Sequence, residues 1–168
     1  MSTPDPNLRD EIAKLLPRLR RFARTVTHHR EDADDLVQIA VERALRHLDQ
    51  WQPGTRLDSW LYRIMKNAWI DEVRARSRRD EVPVDEAFAE TVGVSESGRQ
   101  IARLSVQAAM ARLPEDQRIA VGLVLVEGLP YKEAAQVLDI PIGTLTSRLA
   151  RGREALQHTL VDAGGLHP

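Results

Sequence analysis

Apolar residues recur at intervals of three and four along nearly the whole chain, and this spacing restricts the folds open to it. Near the N-terminus the recurring positions are Leu8, Ile12, Leu15, Leu16, Leu19, Phe22, Ala23 and Val26. Such spacing gathers apolar side chains on one face of an α-helix, whereas a half-buried strand would alternate with a period of two. No strand pattern is evident, so the sequence predicts an all-α fold.

Proline and turn-forming residues divide this pattern into helices. Pro17 predicts a kink or a helix start, and Leu113-Pro114 predicts a break. Residues 52–55 form a turn, after which Asp58 or Ser59 is the expected cap of the third helix. The helices after the first are expected at about residues 31–48, 58–79, 100–111, 115–127, 131–138 and 143–160.

Charge is distributed unevenly, although the net charge is only −1. Residues 61–79 contain six Lys or Arg against Asp71 and Glu72, whereas residues 80–98 contain six acids and no Lys or Arg. Low hydrophobicity with charge of one sign predicts a flexible linker. We therefore expect two small helical domains joined by an acidic linker, divided into domain 1–79, linker 80–98, domain 99–160 and tail 161–168.

Several classes of protein are disfavoured by what the sequence lacks. The chain has no cysteine, which excludes disulfides and thiolate zinc sites. No apolar run approaches the ~18 residues of a membrane span, and the N-terminus lacks the apolar core of a signal peptide. We therefore expect a cytoplasmic protein with no membrane insertion of its own.

The acidic run Asp32–Asp35 raises the possibility of a metal site, as in a helical metal-dependent pyrophosphatase. Such a site needs a second acidic cluster facing the first, and none occurs with helical spacing. No phosphate-binding glycine loop and no paired nucleophile and base are visible. The sequence therefore predicts no metal, no cofactor and no catalytic residue, and the chain is not expected to be an enzyme.

Residues 60–79, WLYRIMKNAWIDEVRARSRR, combine aromatic rings with positive charge. Tyr62, Lys66 and Trp69 step along one face, opposite the face expected in the core, which carries Leu61, Ile64, Met65, Ala68 and Ala75. Rings beside cations bind unpaired bases by stacking, so this face is a candidate for single-stranded nucleic acid. The alternative is that Trp69 packs under the first helix and the arginines are solvated; for Trp60, packing in the core is favoured.

The segment from Leu129 to Gln157 predicts a helix-turn-helix motif. Ala134 and Ala135 allow close helix crossing, and the second helix is rich in Thr, Ser and Arg. These side chains can contact phosphates and base edges, although a plain helical hairpin with solvated arginines would share the pattern. Its expected surface residues are Thr144, Thr146, Ser147, Arg148, Ala150, Arg151 and Arg153.

Four segments in this order resemble the bacterial extracytoplasmic-function (ECF) sigma factors, which bring RNA polymerase to promoters. They are DADDLVQIAVERAL, WLYRIMKNAWIDEVRARSRR, LPEDQR and GLPYKEAAQVLDIPIGTLTSRLARGREAL, and the likeness covers about residues 8–160. The resemblance implies that the third helix melts and reads the −10 element, with Asn67 and the loop 50–59 forming a pocket for a flipped-out base. The −10 residues would be Trp60, Arg63, Lys66, Asn67, Trp69, Asp71, Arg74 and Arg76.

The resemblance also assigns partners. The second helix would dock on the clamp helices of the polymerase β′ subunit, and the C-terminal domain would dock on the β flap. An anti-sigma factor would bind the two domains and hold them closed. In the C-terminal recognition helix, Thr146, Ser147, Ala150 and Arg151 would face bases of the −35 element, and Arg148 would contact the backbone. The polymerase-binding residues would be Asp34, Asp35, Leu36, Val37, Gln38 and Arg43.

Three positions depart from the family's usual residues: Leu57, where an aromatic is common; Thr146, where Lys or Arg is frequent; and Gly152, where Ala is common. Two further functions stay open. A sigma-like adaptor would only sequester an anti-sigma factor, and it would have no need of the retained DNA-facing residues. A helix-turn-helix repressor would need only the second domain and normally a dimer interface, which we do not identify.

Overall fold

A computed structural model describes residues 6–79 and 98–164 of the chain. These residues form seven α-helices and contain no strand, which confirms the all-α prediction. The linker expected at 80–98 lies, except for its last residue, outside the described residues. The helices, numbered α1 to α7 in chain order, are Pro6–Thr27, Arg30–Arg46, Leu57–Arg78, Gly98–Arg112, Glu115–Val121, Tyr131–Leu138 and Ile142–Gly164.

Helices α1, α2 and α3 pack together as an N-terminal bundle. The apolar faces expected from the sequence supply its core, and Leu19, Phe22 and Leu61 are fully buried there. Helix α1 continues through Pro17 without a break. Pro17 is on the exposed side of α1, so the carbonyl that loses its helical hydrogen bond there can be solvated, and the helix tolerates the proline.

Helices α4 to α7 form a C-terminal unit in which α5 and α7 make the most extensive contact. Gly152 makes that contact possible, because a Cβ at this position would lie 2.7 Å from Cγ2 of Val121. Asp139 ends α6 in the left-handed conformation, with φ at 54°, and the chain turns there into α7. The expected helix-turn-helix arrangement is therefore present in α6 and α7.

Two of the differences from the expected helix boundaries affect the contact between the two halves of the chain. Helix α3 begins at Leu57, so Asp58 lies in its first turn, where its carboxylate accepts from the Ser59 amide at 2.8 Å and from Arg18 and Arg56. Helix α5 ends at Val121 and is followed by a π-helical turn, Gly122–Val126. That turn directs the next residue, Glu127, toward the N-terminal bundle.

The two units pack against each other. Helix α6 contacts α3, while α4, α5 and the π-helical turn contact α1. The backbone comes close to α1 at Gly122, since a Cβ there would lie 3.2 Å from Cγ2 of Thr25 and 3.3 Å from Cε2 of Phe22. The second half of the chain therefore covers one side of the N-terminal bundle. No helix in the described ranges has both the length and the apolar character needed to cross a membrane.

Candidate nucleic-acid interface

Helix α3 buries both of its faces. Leu61, Met65 and Ala68 are buried in the bundle core, as expected. Tyr62 and Trp69, on the opposite face, are 0% and 5% exposed. The expectation that these rings occupy a surface free of packing is therefore wrong for this conformation, because Phe22 of α1 packs on Tyr62 and the C-terminal unit contacts both rings. We call the covered surface formed by Tyr62, Lys66 and Trp69 the ring face.

Trp69 is held by two contacts, one from the C-terminal unit and one from its own helix. Its indole Nε1–H donates to Oε2 of Glu115 at 3.0 Å, and the Arg76 guanidinium lies 5.5 Å from the ring centroid. Arg76 also donates to both carboxylate oxygens of Asp32, at 2.8 and 3.0 Å, and to Glu72 at 3.0 Å. These hydrogen bonds raise the pKa of Arg76 and lower that of Asp32. The acid at the start of DADD is therefore paired with a cation.

The cations beside the rings are also engaged. Arg63 donates to the backbone carbonyl of Gln136 in α6. Partial burial and, secondarily, the charge of Arg63 lower the pKa of Lys66. Trp60 is half-buried against the core. The contact between α3 and α6 therefore occupies Arg63, a donor that the sequence assigned to binding a nucleic-acid strand.

Four of the predicted −10 residues remain on the surface in the closed arrangement, in which the C-terminal unit packs on the N-terminal bundle. Arg63, Asn67, Asp71 and Arg74 are exposed. The Asp71 side chain is 65% exposed, and its Oδ2 lies 3.9 Å from Nη1 of Arg43, one of the predicted polymerase-binding residues. Asn67 is accordingly the residue of this set that can be replaced with the least disturbance to packing.

Helix α7 presents the outer face that the sequence predicted for duplex DNA. Five of its seven predicted residues are exposed, and Thr144 and Arg148 are half-buried. The Thr146 hydroxyl donates to the Gly143 carbonyl at 2.9 Å, and Arg148 lies 3.6 Å from Asp116. Leu145 and Leu149, on the inner side, are buried and fix the helix on its unit.

The predicted polymerase-binding residues of α2 fall into two groups. Leu36 and Val37 are only 3% and 7% exposed and belong to the bundle core. In this conformation they support the surface of α2 from the core side, and their contact with a partner stays a prediction. The exposed members are Asp34, Asp35, Gln38 and Arg43.

Sequence reasoning missed the residues that join the two units. Glu127 is buried and accepts hydrogen bonds from Arg21 and Tyr62. Arg118 is 3% exposed and donates to the Val26 carbonyl at 3.0 Å, across the interface. A charged residue directly after the apolar run VGLVLV was the one available signal for Glu127. No periodicity could indicate its partner more than 100 positions earlier.

The described residues contain no group of three or more His, Asp or Glu side chains placed to hold a metal ion. Neither unit thus offers a metal centre within the described ranges. The chemistry present consists of aromatic rings, cations and hydroxyls on two helices, α3 and α7. Such groups bind nucleic acid by stacking, by ion pairing with phosphates and by contacts to base edges.

Two family models match the chain. The Sigma-70 region 2 model matches residues 12–79, and the Sigma-70, region 4 model matches residues 103–156. Among curated relatives, the ECF RNA polymerase sigma factor EcfG of Rhodopseudomonas palustris is 39% identical over 157 residues, covering 92% of this chain and 85% of the relative. SigE of Mycolicibacterium smegmatis is 34% identical, covering 92% of this chain and 62% of the relative.

Solved structures give a similar picture. The chain superimposes with a TM-score of 0.81 on the sigma factor RpoE from Bartonella quintana, in a complex with the anti-sigma factor NepR. The match has 29% identity and covers 93% of this chain and 98% of RpoE. CnrH in complex with the cytosolic domain of CnrY matches with a TM-score of 0.66 and 24% identity, which indicates a shared fold.

Proposed function

Because the chain belongs to the family of ECF RNA polymerase sigma factors, we propose that it directs RNA polymerase to promoters by reading the −35 element as duplex and the −10 element as a melted strand. The observation that carries this proposal is the presence of both sigma regions, in order, on a chain that presents one helix rich in rings and cations and one rich in Thr, Ser and Arg. The chain supplies recognition, and the polymerase supplies the chemistry. Its place of action is the cytoplasm.

The −10 reading belongs to α3. Extruding a base from a duplex costs a few kcal/mol, and a pocket that accepts the correct base offsets part of that cost. Exposed Asn67 and the segment 50–59, which ends in the first turn of α3, are proposed to form the pocket, while Lys and Arg of α3 hold the strand through salt-dependent phosphate contacts. The proposed −10 residues are Trp60, Arg63, Lys66, Asn67, Trp69, Asp71, Arg74 and Arg76.

The −35 reading belongs to α7. Its outer face is exposed, and its inner leucines fix its orientation. Arginine in the major groove forms bidentate hydrogen bonds with guanine, and Thr or Ser bonds to bases or phosphates. The proposed −35 residues are Thr144, Thr146, Ser147, Arg148, Ala150, Arg151 and Arg153.

Core polymerase is the proposed protein partner of both units. Helix α2 would dock on the β′ clamp helices through exposed Asp34, Asp35, Gln38 and Arg43, with Leu36 and Val37 fixing the helix from below. The C-terminal unit would contact the β flap. An anti-sigma factor is a further partner, supported by the superposition on RpoE bound to NepR. The proposed domains are residues 1–79 and 99–160, connected by 80–98.

Run-off transcription with core polymerase tests the function. The chain should yield promoter-specific transcripts from genomic DNA fragments, whereas a sigma-like adaptor that only sequesters an anti-sigma factor would yield none. Asn67→Ala should lower promoter opening about tenfold, corresponding to ~1–2 kcal/mol of lost base contacts, as measured by permanganate reactivity of unpaired thymines. Gln107→Ala, an exposed change on α4, is the control. Thymine reactivity as strong with Asn67→Ala as with wild type would contradict the assignment of α3 to the melted strand.

A further inference from the structure

Glu127 is a buried carboxylate placed between the two units. Its side chain has 0% exposed surface. One oxygen accepts from Nε of Arg21 at 2.7 Å, and the other accepts from Nη2 of Arg21 at 2.9 Å and from the Tyr62 hydroxyl at 2.7 Å. All three donors belong to the N-terminal bundle, so closure of the two units is what completes this site.

The backbone places Glu127 there through the π-helical turn. The Glu127 amide bonds to the Gly122 carbonyl at 2.9 Å, five residues back, and the Leu129 amide bonds to the Leu123 carbonyl at 3.0 Å. Gly128 follows with φ at 73°, a conformation that glycine adopts readily. Gly122 itself lies against Phe22 and Thr25. The turn that presents Glu127 is therefore also packed closely against α1.

A carboxylate removed from water is strongly destabilised unless charged or polar donors compensate it. In the closed chain the compensation comes from Arg21 and Tyr62. The hydrogen bond to Glu127 is the main cause of the raised pKa of Arg21. Burial, followed by the interaction with Glu127, raises the pKa of Tyr62. When the units separate, water can solvate Glu127 instead. The closed state is thus the one that depends on these donors.

Two neighbouring contacts repeat the same polarity. Glu115 accepts from the Trp69 indole at 3.0 Å, and Glu133 accepts from the Ser59 hydroxyl at 3.1 Å. Three carboxylates of the C-terminal unit are therefore bonded to donors of the N-terminal bundle, and they cover the ring face. A melted DNA strand and the C-terminal unit cannot occupy this face together.

From this geometry we infer that Glu127 is an intramolecular latch: bonded to Arg21 and Tyr62, it holds the free chain closed and inhibits −10 strand binding without any partner. The inference concerns the regulation of the proposed −10 site and rests on the proposed function. An inhibitory partner that binds the closed form would then stabilise a conformation already populated, and polymerase would have to separate the units. The fraction of open chains sets the apparent affinity for the strand.

Distance measurement on the full chain tests the latch. The chain has no cysteine, so Arg46→Cys and Gln157→Cys, both exposed and one in each unit, accept a donor and an acceptor dye without background labelling. In this labelled background, Arg21→Ala leaves Glu127 buried without its cation, and Glu127→Gln keeps the shape but removes the charge. Each should lower energy transfer between the dyes, and a −10 single-stranded oligonucleotide should bind about tenfold more tightly to the free variant.

Lys14→Ala is the matched control, because it breaks an ion pair on the same helix in which both side chains are exposed. It should leave energy transfer and oligonucleotide binding as in wild type. The double variant Arg21→Ala with Glu127→Gln should open no further than the single variants, since the two residues act through one contact. Circular dichroism identifies any variant that opens only because it unfolds. If Arg21→Ala unfolds, Glu127→Gln still tests the latch.

Unchanged energy transfer in folded Arg21→Ala and Glu127→Gln would overturn the latch. Dyes that are already far apart in the labelled chain without a latch substitution would overturn it as well. Run-off transcription at saturating polymerase separates this result from the proposed function. Wild type and the latch variants should reach the same maximum, because Arg21 and Glu127 lie outside the proposed DNA and polymerase contacts. A wild-type chain without transcripts would overturn the proposed function, and the dye distances would still decide the latch.

Discussion

Helices α3 and α7 are proposed to read the same promoter, yet the exposure of their DNA-binding faces differs. On α3 the ring face is covered, with Tyr62 and Trp69 at 0% and 5% exposure. On α7 the outer face carrying Arg151 and Arg153 is exposed. The difference follows the chemistry of the two targets. Base stacking needs apolar rings, which favour burial when no strand is bound, whereas duplex contacts need polar groups that water solvates well.

The largest expected effect tests whether the ring face of α3 is covered in solution. Trp69→Ala should lower the free energy of unfolding by about 3 kcal/mol, because it removes a large buried ring between the two units. Arg151→Ala on the exposed face should change it by no more than about 0.5 kcal/mol. Denaturant titration followed by circular dichroism measures both. A Trp69→Ala variant as stable as Arg151→Ala would mean that the C-terminal unit does not cover the ring face.

Duplex binding sharpens the other half of the comparison. The free chain should bind −35 duplex with affinity that falls as salt rises, because α7 is exposed in the closed arrangement. Arg151→Ala should weaken this binding by about 1–3 kcal/mol if it contacts a base edge, as measured by fluorescence anisotropy. Asn67→Ala should leave it unchanged. Equal weakening by both substitutions would indicate that the two faces do not act separately.

A smaller effect on stability is expected at the contact between α5 and α7. A Cβ at Gly152 would lie 2.7 Å from Cγ2 of Val121, whereas a Cβ at Gly143 of the same helix meets nothing within 4 Å. Alanine gains roughly 1 kcal/mol over glycine in a helix, but overpacking costs about 1–3 kcal/mol. Gly152→Ala should therefore lower stability by about 1 kcal/mol net. Gly143→Ala should not, and a stabilised Gly152→Ala would show that α5 and α7 can move apart freely.

Particular residues show where sequence reasoning succeeded. The apolar spacing predicted the seven helices, because that periodicity is a local property of each segment. The same reasoning placed Tyr62 and Trp69 on one face of α3 and offered the first helix as the only packing partner for Trp69. Tyr62 packs against Phe22, and the rest of the contacts come from Glu115 and Glu127, which lie 46 and 65 residues further along the chain than Trp69 and Tyr62. In the sequence, Gly152 is only a departure from the Ala common in the family, while the structure explains it by the Val121 methyl group.

Acid should act on the closed arrangement through His28, at the end of α1. Burial first, and then the positive charge of Arg118 from the C-terminal unit, lower the His28 pKa from 6.5 to about 4; the charge of His29 adds to this and that of Asp32 opposes it. The unfolded chain therefore binds a proton that the folded chain excludes between these values. The free energy of unfolding should fall as pH decreases from about 6.5 to about 4.

His28→Asn removes this titration and keeps a residue that tolerates the φ of 50° found there. The pH dependence of the denaturation midpoint should become shallower in that window. His158→Asn, on the exposed surface of α7, is the matched control and should retain the wild-type slope. The pKa values of Asp32 and Asp58 are lowered from 3.8, so their effect begins at about pH 5, and the comparison of the two histidine variants is read above that pH. A wild-type slope in His28→Asn would mean that His28 is not buried in solution as it is in the closed arrangement.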